Sequence, residues 1–399
     1  MITASRRICH MLRIYAKFMI MLILLWLHLV STPVFGSESK PILIGATVSL
    51  EGKYEGPSFM IRNAFKLWEE EINQRGGLLD RPVKLIFYDD KSRKDLVRHF
   101  YEKLITEDKV DLVFSPYSTS LTLVASEVSE RYGFIMLASG ASGESIWRRG
   151  YRYIFGVYAT AGRYFIGLLD LMARNNIESV AILNEATSFN IFAAKGAQEW
   201  AKRFGLKVSI KKGYKTGKTE LPRLLKEVKD VASDGLILCA YPADCYELLR
   251  LMREMKYRPK TLGFTIAPAL PDFCEHAGAM CEDVFGPSQW EPDERIPFPG
   301  TKKFIKNFKA YAGKCPSYHA GSAYASCQVL ERAINHNKSL NHERIRDFLV
   351  ALDTVTVIGR FKVDYKGKQV GHNPIIIQWQ NSKKEIVYPT KMQTASPRF

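Results

Sequence analysis

Several kinds of functional signal are scarce in this 399-residue sequence. It has seven cysteines but no C-x-x-C pair, and its eight histidines are not clustered, which disfavours a structural metal site. It also lacks the G-x-S-x-G turn of hydrolases and the glycine-rich loop that binds phosphate. Asp89 and Asp90 fit a hydrogen-bonded turn at a strand end better than a catalytic pair. We therefore expect no enzyme, no metal and no cofactor.

Negative charge is also in the minority. The chain has 57 Lys and Arg against 41 Asp and Glu, a formal charge of +16. Such a balance can attract acidic partners or an anionic membrane surface. However, the basic residues are scattered, often beside Glu on helix faces, and no dense basic run with interleaved aromatics occurs. The pattern favours a solvated basic surface and no nucleic-acid partner.

Long apolar runs are absent except near the N-terminus. Residues 18–30 are mostly Met, Ile, Leu and Trp, they follow a basic start, and they are too short for a comfortable membrane span. Small residues before and at Gly36 fit a cleavage site. This pattern predicts a signal peptide over 1–36 and a soluble mature chain that is periplasmic or otherwise exported. An uncleaved N-terminal anchor is the alternative.

Cysteines outside this leader are even in number, which permits disulfides in an exported chain. Cys274 and Cys281 flank a Gly-Ala turn and are the closest plausible pair, and Cys239 with Cys245 is the next. Cys315 and Cys327 complete the set. Buried free thiols are the alternative, so the connectivity stays open.

Strands and helices alternate along the remaining chain. Short apolar runs are separated by amphipathic helices, which predicts parallel sheets with right-handed crossovers. The segments 42–157 and 162–264 are built alike, and the length suits two domains. The second segment is predicted to begin with a helix at 162–174, and a late strand is predicted at 374–380. The sequence therefore predicts an α/β protein with two doubly wound parallel-sheet lobes.

The segment D-L-V-F-S-P-Y-S-T-S at 111–120 carries the main functional signal. An apolar strand runs into Ser118 and Ser120 at the start of a helix, and the pattern recurs at 134–143. The first N–H groups of a helix, together with hydroxyl groups, can hold an anion without a charged side chain. Two such strand ends side by side form the usual ligand crevice of a doubly wound sheet. Ordinary strand-turn-helix joints with good N-caps are the alternative.

The run G-G-L-L-D-R-P-V-K-L-I-F-Y-D-D-K-S at 76–92 closely resembles a pattern of the type I periplasmic binding proteins. This is the branched-chain amino acid and amide (Leu/Ile/Val-binding) family, which serves ABC importers. Further matches stand in the same order at 114–122, 150–157, 287–292, 316–320 and 356–364. The resemblance covers 41–389.

This resemblance implies an extracytoplasmic substrate-binding protein, monomeric, whose lobes close on a small ligand and whose closed form is recognised by a membrane permease. The ligand class would be an amino acid, an amide or a small carboxylate. A ligand-sensing module that presents its closed form to a separate receptor is the alternative. The resemblance also implies a three-segment hinge, with crossings near 157–160, 287–292 and 355–358. The expected lobes are then 41–157 with 291–355, and 158–290 with 356–390.

Ligand contacts are carried over from the same resemblance. Gly140 and Ser142 match positions that hold a carboxylate, and Ser118 and Ser120 stand at the neighbouring strand end. The expected aromatic walls are Tyr54, Tyr158, Phe189, Tyr241 and Trp290. Core or lobe packing is the alternative for each aromatic.

One departure from the family bears on the ligand. Amino-acid binders commonly have an acid after the strand equivalent to 261–264, where it receives the α-ammonium, whereas this chain has Thr265 there, which we count among the expected ligand contacts. A buried ammonium without a partner is costly. Hence Glu185, Asp244 or Asp272 substitutes, or the ligand has no buried ammonium. We favour a small carboxylate or amide with an apolar portion, while a branched-chain or aromatic amino acid remains open.

Overall fold

The structure is a computed structural model that describes residues 15–19, 21, 40–215, 220–296 and 298–399. The predicted cleavage site after Gly36 lies outside these residues. Residues 41–399 form one compact unit. Within the described ranges, no helix has both the length and the apolar character needed to cross a bilayer.

Strands of this unit form two large sheets and one hairpin. In chain order they are β1 (Ile42–Val48), β2 (Val83–Asp89), β3 (Leu112–Phe114), β4 (Met136–Ala138), β5 (Ile154–Gly156), β6 (Ser179–Glu185), β7 (Lys207–Tyr214), β8 (Gly235–Cys239), β9 (Thr261–Phe264), β10 (Val284–Ser288), β11 (Asp353–Thr356), β12 (Gly359–Lys362), β13 (Ile375–Gln380) and β14 (Lys383–Tyr388).

Helices connect and cover these strands. They are α1 (Glu55–Gln74), α2 (Lys94–Thr106), α3 (Thr119–Arg131), α4 (Ile166–Arg174), α5 (Ser188–Arg203), α6 (Leu221–Asp230), α7 (Pro242–Glu254), α8 (Phe273–Ala277), α9 (Thr301–Ala312), α10 (Tyr318–Asn337) and α11 (His342–Ala351).

The first sheet is parallel throughout, in the order β2-β1-β3-β4-β5. Its central strands read as continuous apolar runs because helices cover both faces. The strand order reverses direction between β1 and β3. In a doubly wound sheet, this switch point places a crevice outside the carboxyl ends of the strands.

The second sheet repeats this plan and extends it. Strands β7-β6-β8-β9-β10 are parallel and again change direction, between β6 and β8. The C-terminal strand β13 then pairs antiparallel with the free side of β10, and β14 pairs antiparallel with β13. The sequence pattern predicts β13 but not β14, which begins with two exposed or half-exposed lysines.

The chain passes between the two lobes three times. It leaves the first sheet after β5, returns after β10 with helices α9 and α10 packed on α1, and crosses again to reach β13. The predicted fold class, two doubly wound parallel-sheet lobes joined by three connections, is therefore confirmed.

The cysteines resolve the pairing that the sequence left open. Cys274 and Cys281, the pair that flanks the Gly-Ala turn, form the disulfide that the sequence favoured. Cys239 and Cys245 do not pair but remain free and buried, one at the end of β8 and the other in α7. Burial raises the pKa of the Cys239 thiol well above its usual range, so this thiol stays protonated and inert.

Candidate ligand-binding site

A small cavity lies where the carboxyl ends of the two sheets face each other. About 230 Å³ among its lining residues is unoccupied by protein atoms, and part of this space is open to solvent. The first sheet contributes the residues after β3 and β4, and the second contributes those after β6, β8 and β9. Its lining residues are Tyr117, Ser118, Thr119, Gly140, Ser142, Tyr158, Tyr164, Phe189, Tyr241, Ile266 and Tyr318.

The N-terminus of α3 forms the polar floor of this cavity. Ser118 caps the helix, since its hydroxyl accepts a hydrogen bond from the Leu121 N–H at 3.2 Å. The Ser118 N–H in turn donates to the Gly140 carbonyl at 3.0 Å, which fixes the loop after β3 to the loop after β4. Ser118 has a φ of 82°, a region that non-glycine residues rarely adopt. Backbone strain of this kind, worth roughly 1–3 kcal/mol, is typical of functional sites.

Ser142 and Tyr164 place two hydroxyl groups beside this floor. Their oxygens are 3.1 Å apart and both side chains are buried. Burial raises the pKa of Tyr164 to about 12, so its hydroxyl is neutral and can donate a hydrogen bond. Gly140 is needed for close packing, because a Cβ there would lie 3.1 Å from the Tyr117 Cα and 3.0 Å from the Ile61 side chain.

Aromatic rings form the remaining walls. Phe189 lies 5.2 Å from the Tyr164 ring, and Tyr158 meets Tyr318 edge to face at 5.5 Å. The hydroxyls of Tyr158 and Ser322 are neighbours, yet neither makes a hydrogen bond of normal geometry to the described residues. A buried polar group in this condition is costly unless a ligand or a water molecule supplies its partner.

Six of the residues proposed from the sequence come together in this lining. They are Ser118, Gly140, Ser142, Tyr158, Phe189 and Tyr241. Tyr117, Thr119, Tyr164, Ile266 and Tyr318 line the same cavity but were not proposed. The signal for Tyr117 and Thr119 was present, since both lie within the strand-end segment 111–120. Tyr318 lies in the matching segment 316–320, to which the sequence assigned no role.

Four proposed contacts lie elsewhere, and for them a ligand role stays a prediction. Tyr54 packs between Tyr117 and Tyr241, at ring distances of 5.7 and 5.2 Å. Thr265 exchanges hydrogen bonds with the Ala240 backbone and so links β8 to β9. Ser120 follows Thr119 in the first turn of α3, outside the lining.

Trp290, the fourth of these residues, is buried beside the second crossing between the lobes. It packs 5.9 Å from Phe304 and lines a separate cavity with Gln289 and Ile358. This position places its ring against the hinge connections instead of the ligand cavity.

None of the three acids considered as ammonium acceptors lines the cavity. Glu185, Asp244 and Asp272 border an outer groove that shares only Tyr241 with it. Asp244 accepts a hydrogen bond from the Tyr214 hydroxyl at 2.8 Å. Among the described lining residues there is no charged side chain at all.

Direct contacts between the lobes close the cleft. The Ser145 and Ser188 hydroxyls are 2.9 Å apart, which joins the segment after β4 to the start of α5. The Arg148 guanidinium, in the same segment as Ser145, lies 4.8 Å from the centre of the Phe192 ring, which belongs to α5. The described conformation is therefore a closed one.

His319 contacts the lining residue Tyr117 and makes the stability of the folded protein depend on pH. Its Nε2 lies 3.3 Å from the Tyr117 hydroxyl and its Nδ1 lies 3.2 Å from the Ser317 hydroxyl. Burial lowers the pKa of His319 to about 3, against 6.5 for the ordinary group. Below pH 6.5 the unfolded chain therefore binds a proton at His319, whereas the folded chain binds it only when the pH approaches 3.

We expect the contribution of His319 to the free energy of unfolding to be greatest above pH 6.5 and to fall as the pH drops towards 3. The slope is up to about 1.4 kcal/mol per pH unit for one proton. A His319→Gln variant should show a shallower decline of the melting temperature with falling pH. His99→Gln, at an exposed position, is the control. Equal slopes in both variants would contradict the assignment.

The fold and the cleft define a class of protein: two wound lobes that close on a small molecule held by uncharged donors and aromatic rings. A family model described as periplasmic binding protein matches residues 41–384, and the chain belongs to this family. The family consists of solute-binding proteins of ABC transporters, so the chain is a substrate-binding protein and not an enzyme.

Individual relatives and solved structures agree with this assignment. The chain is 24% identical over 393 residues to Leu/Ile/Val-binding protein homolog 8 of Brucella abortus (strain 2308), covering 92% of this chain and 96% of that protein. The branched-chain amino acid binding protein LivJ of Streptococcus pneumoniae, solved with isoleucine, has a TM-score of 0.77 at 19% identity, covering 88% of this chain and 100% of that one. A solute-binding protein of an ABC transporter from R. palustris, solved with benzoate, has a TM-score of 0.74 at 14% identity and covers 90% and 98%.

Proposed function

We propose that this protein captures a small carboxylate with an apolar portion and no ammonium group, for delivery to the membrane permease of an ABC importer. The observation that supports this ligand class is the lining of the cavity, which combines hydroxyl groups, a helix N-terminus and aromatic rings. A carboxylate is stabilised by such donors and by the positive end of the helix dipole. An apolar group is stabilised by the rings.

The acids support the same choice. An amino-acid ligand brings an α-ammonium that must be paired when it is buried. Glu185, Asp244 and Asp272 border the outer groove instead of the cavity. The two solved structures named above contain isoleucine and benzoate, respectively, so this fold accommodates both ligand classes. The lining of the present cavity favours the second.

Closure is the proposed mechanism of capture. The ligand first meets the N-terminus of α3 on the first lobe, and closure then brings Phe189 and Tyr241 of the second lobe onto it. The ligand stabilises the closed form because only that form makes both sets of contacts. We propose 41–157 with 291–355 and 158–290 with 356–390 as the two moving bodies.

The setting of this activity is part of the proposal. The protein acts as a monomer outside the cytoplasm after its signal peptide is removed following Gly36, and its closed form docks on the permease. Sequencing the N-terminus of the secreted protein would test the cleavage site.

Matched ligand pairs test the ligand class directly. We expect 4-methylpentanoate to bind at least about tenfold more tightly than L-leucine, and 3-phenylpropanoate more tightly than L-phenylalanine, because each acid differs from its partner only by the ammonium. Isothermal titration calorimetry on the purified mature chain measures both constants. Tighter binding of the amino acid in both pairs would overturn the proposal.

A further inference from the structure

Lys53 crosses the cleft with its side chain. It stands in the turn between β1 and α1 of the first lobe, and its ammonium contacts the Glu185 carboxylate at the end of β6 in the second lobe. The same ammonium lies 4.4 Å from the centre of the Tyr241 ring, which also belongs to the second lobe. One cation of the first lobe is thus held by an acid and a ring of the facing lobe.

The Glu185 carboxylate is buried and held in place by a hydrogen bond, which suits it to bind a cation. Its side chain is 1% exposed, whereas that of Lys53 is 29% exposed. The other carboxylate oxygen accepts a hydrogen bond from Asn190 at 3.1 Å, and Asn190 is itself fixed by the Thr187 hydroxyl at 3.0 Å. Burying a carboxylate this deeply is costly unless a cation and hydrogen-bond donors surround it.

Tyr241 connects this ion pair to the ligand cavity. Its ring lines the cavity and also borders the outer groove that contains Lys53 and Glu185. Tyr241 is therefore shared by the ligand cavity and by the groove in which Lys53 meets Glu185. A ligand ammonium at the Tyr241 wall would compete with Lys53 for the same acid.

We propose that Lys53 is the specificity-determining residue of the cleft, because it supplies from the protein itself the ammonium that Glu185 would otherwise take from an amino-acid ligand. This inference rests on the proposed function and explains why the cleft selects an acid without an ammonium group. It also makes selection depend on closure, since the Lys53–Glu185 contact joins the two lobes.

The test replaces Lys53 by Met, which keeps the length of the side chain and removes its charge. The measured quantity is the ratio of the dissociation constants of L-leucine and 4-methylpentanoate. We expect this ratio to shift towards leucine by about tenfold in Lys53→Met, since Glu185 loses the ammonium of Lys53 and attracts that of the ligand. In the double variant Lys53→Met with Glu185→Gln, the ratio should return to near the wild-type value.

Lys66→Met is the matched control. Lys66 also pairs with a carboxylate, Glu69 at 2.7 Å, and also lies over a ring, Phe87 at 5.6 Å, but all of these residues belong to the first lobe. In Lys66→Met, the ratio of the dissociation constants of L-leucine and 4-methylpentanoate should equal the wild-type ratio.

The outcomes separate the inference from the proposed function. A wild-type preference for the acid with an unchanged ratio in Lys53→Met would overturn only the role of Lys53. A wild-type preference for leucine, or binding of neither probe, would overturn both. A shift of equal size in Lys66→Met would also contradict the inference, because it would indicate a general charge effect.

Discussion

Replacing Ser142 by Leu should abolish ligand binding while leaving the fold intact. Ser142 is buried, and its hydroxyl lies 3.1 Å from that of Tyr164 at the wall of the ligand cavity. A leucine side chain would fill much of this space and remove a hydroxyl donor for the carboxylate. We expect the dissociation constant to rise at least about a hundredfold, which corresponds to roughly 2.7 kcal/mol.

Two further variants separate bulk from lost hydrogen bonding. Ser142→Ala removes only the hydroxyl and should weaken carboxylate binding by about tenfold, the usual scale for a hydrogen bond to a charged group. Ser396→Leu makes the same bulky change at an exposed position in the C-terminal segment, outside the lining, and should bind normally. Calorimetric titration gives the constants, and circular dichroism checks folding. Wild-type affinity in a folded Ser142→Leu protein would exclude this cavity as the ligand site.

Replacing Gly196 by Ala should destabilise the second lobe and weaken binding together. Gly196 lies inside α5 and packs directly on the turn at Gly162, so that an added Cβ would lie 2.2 Å from the Gly162 carbonyl oxygen. The atoms that the added Cβ would meet all belong to the Gly162 backbone, so no flexible side chain can move aside to make room. Although Ala favours helices over Gly by about 1 kcal/mol, overpacking of this kind costs ~1–3 kcal/mol or more.

The loss of binding follows from what these two segments carry. The turn leads into Tyr164, and α5 begins one residue before Phe189, so pushing them apart separates two walls of the cavity. Gly56→Ala is the control, since an added Cβ in this helical glycine meets nothing within 4 Å. Denaturant unfolding and titration should show a large loss for Gly196→Ala alone. Similar behaviour of the two variants would contradict the packing argument.

Local chemistry explains how much of the fold was predictable. Strands such as β1 and β3 are continuous apolar runs that end in turn residues, so their positions can be read directly. Boundaries were less accurate where a tertiary contact shifts them. The sequence predicts a helix from Gly162, but the chain first forms a short turn at Ala161–Arg163 and α4 starts at Ile166. That turn packs its backbone on Gly196, a residue from a different helix.

The candidate site was predictable only where it follows from adjacent strand ends. Ser118 and Ser142 come from the neighbouring strands β3 and β4, and parallel strands always bring such ends together. Tyr318 reaches the cavity through the packing of α10 on α1, a contact between distant segments that no local pattern encodes. The Lys53–Glu185 pair likewise depends on the relative position of the lobes.

The antiparallel addition of β13 to β10 has a consequence for the order of folding. The parallel strands of the second sheet are complete by Ser288, but the edge of β10 remains uncovered until residues 375–380 have been synthesised. An uncovered strand edge is a template for pairing with other chains. Helices α9 and α10, which cover α1, also come from the last third of the sequence. Both lobes are thus finished only after residues 301–380 have been made, so a chain interrupted before β13 would leave the edge of β10 open to pairing with another chain.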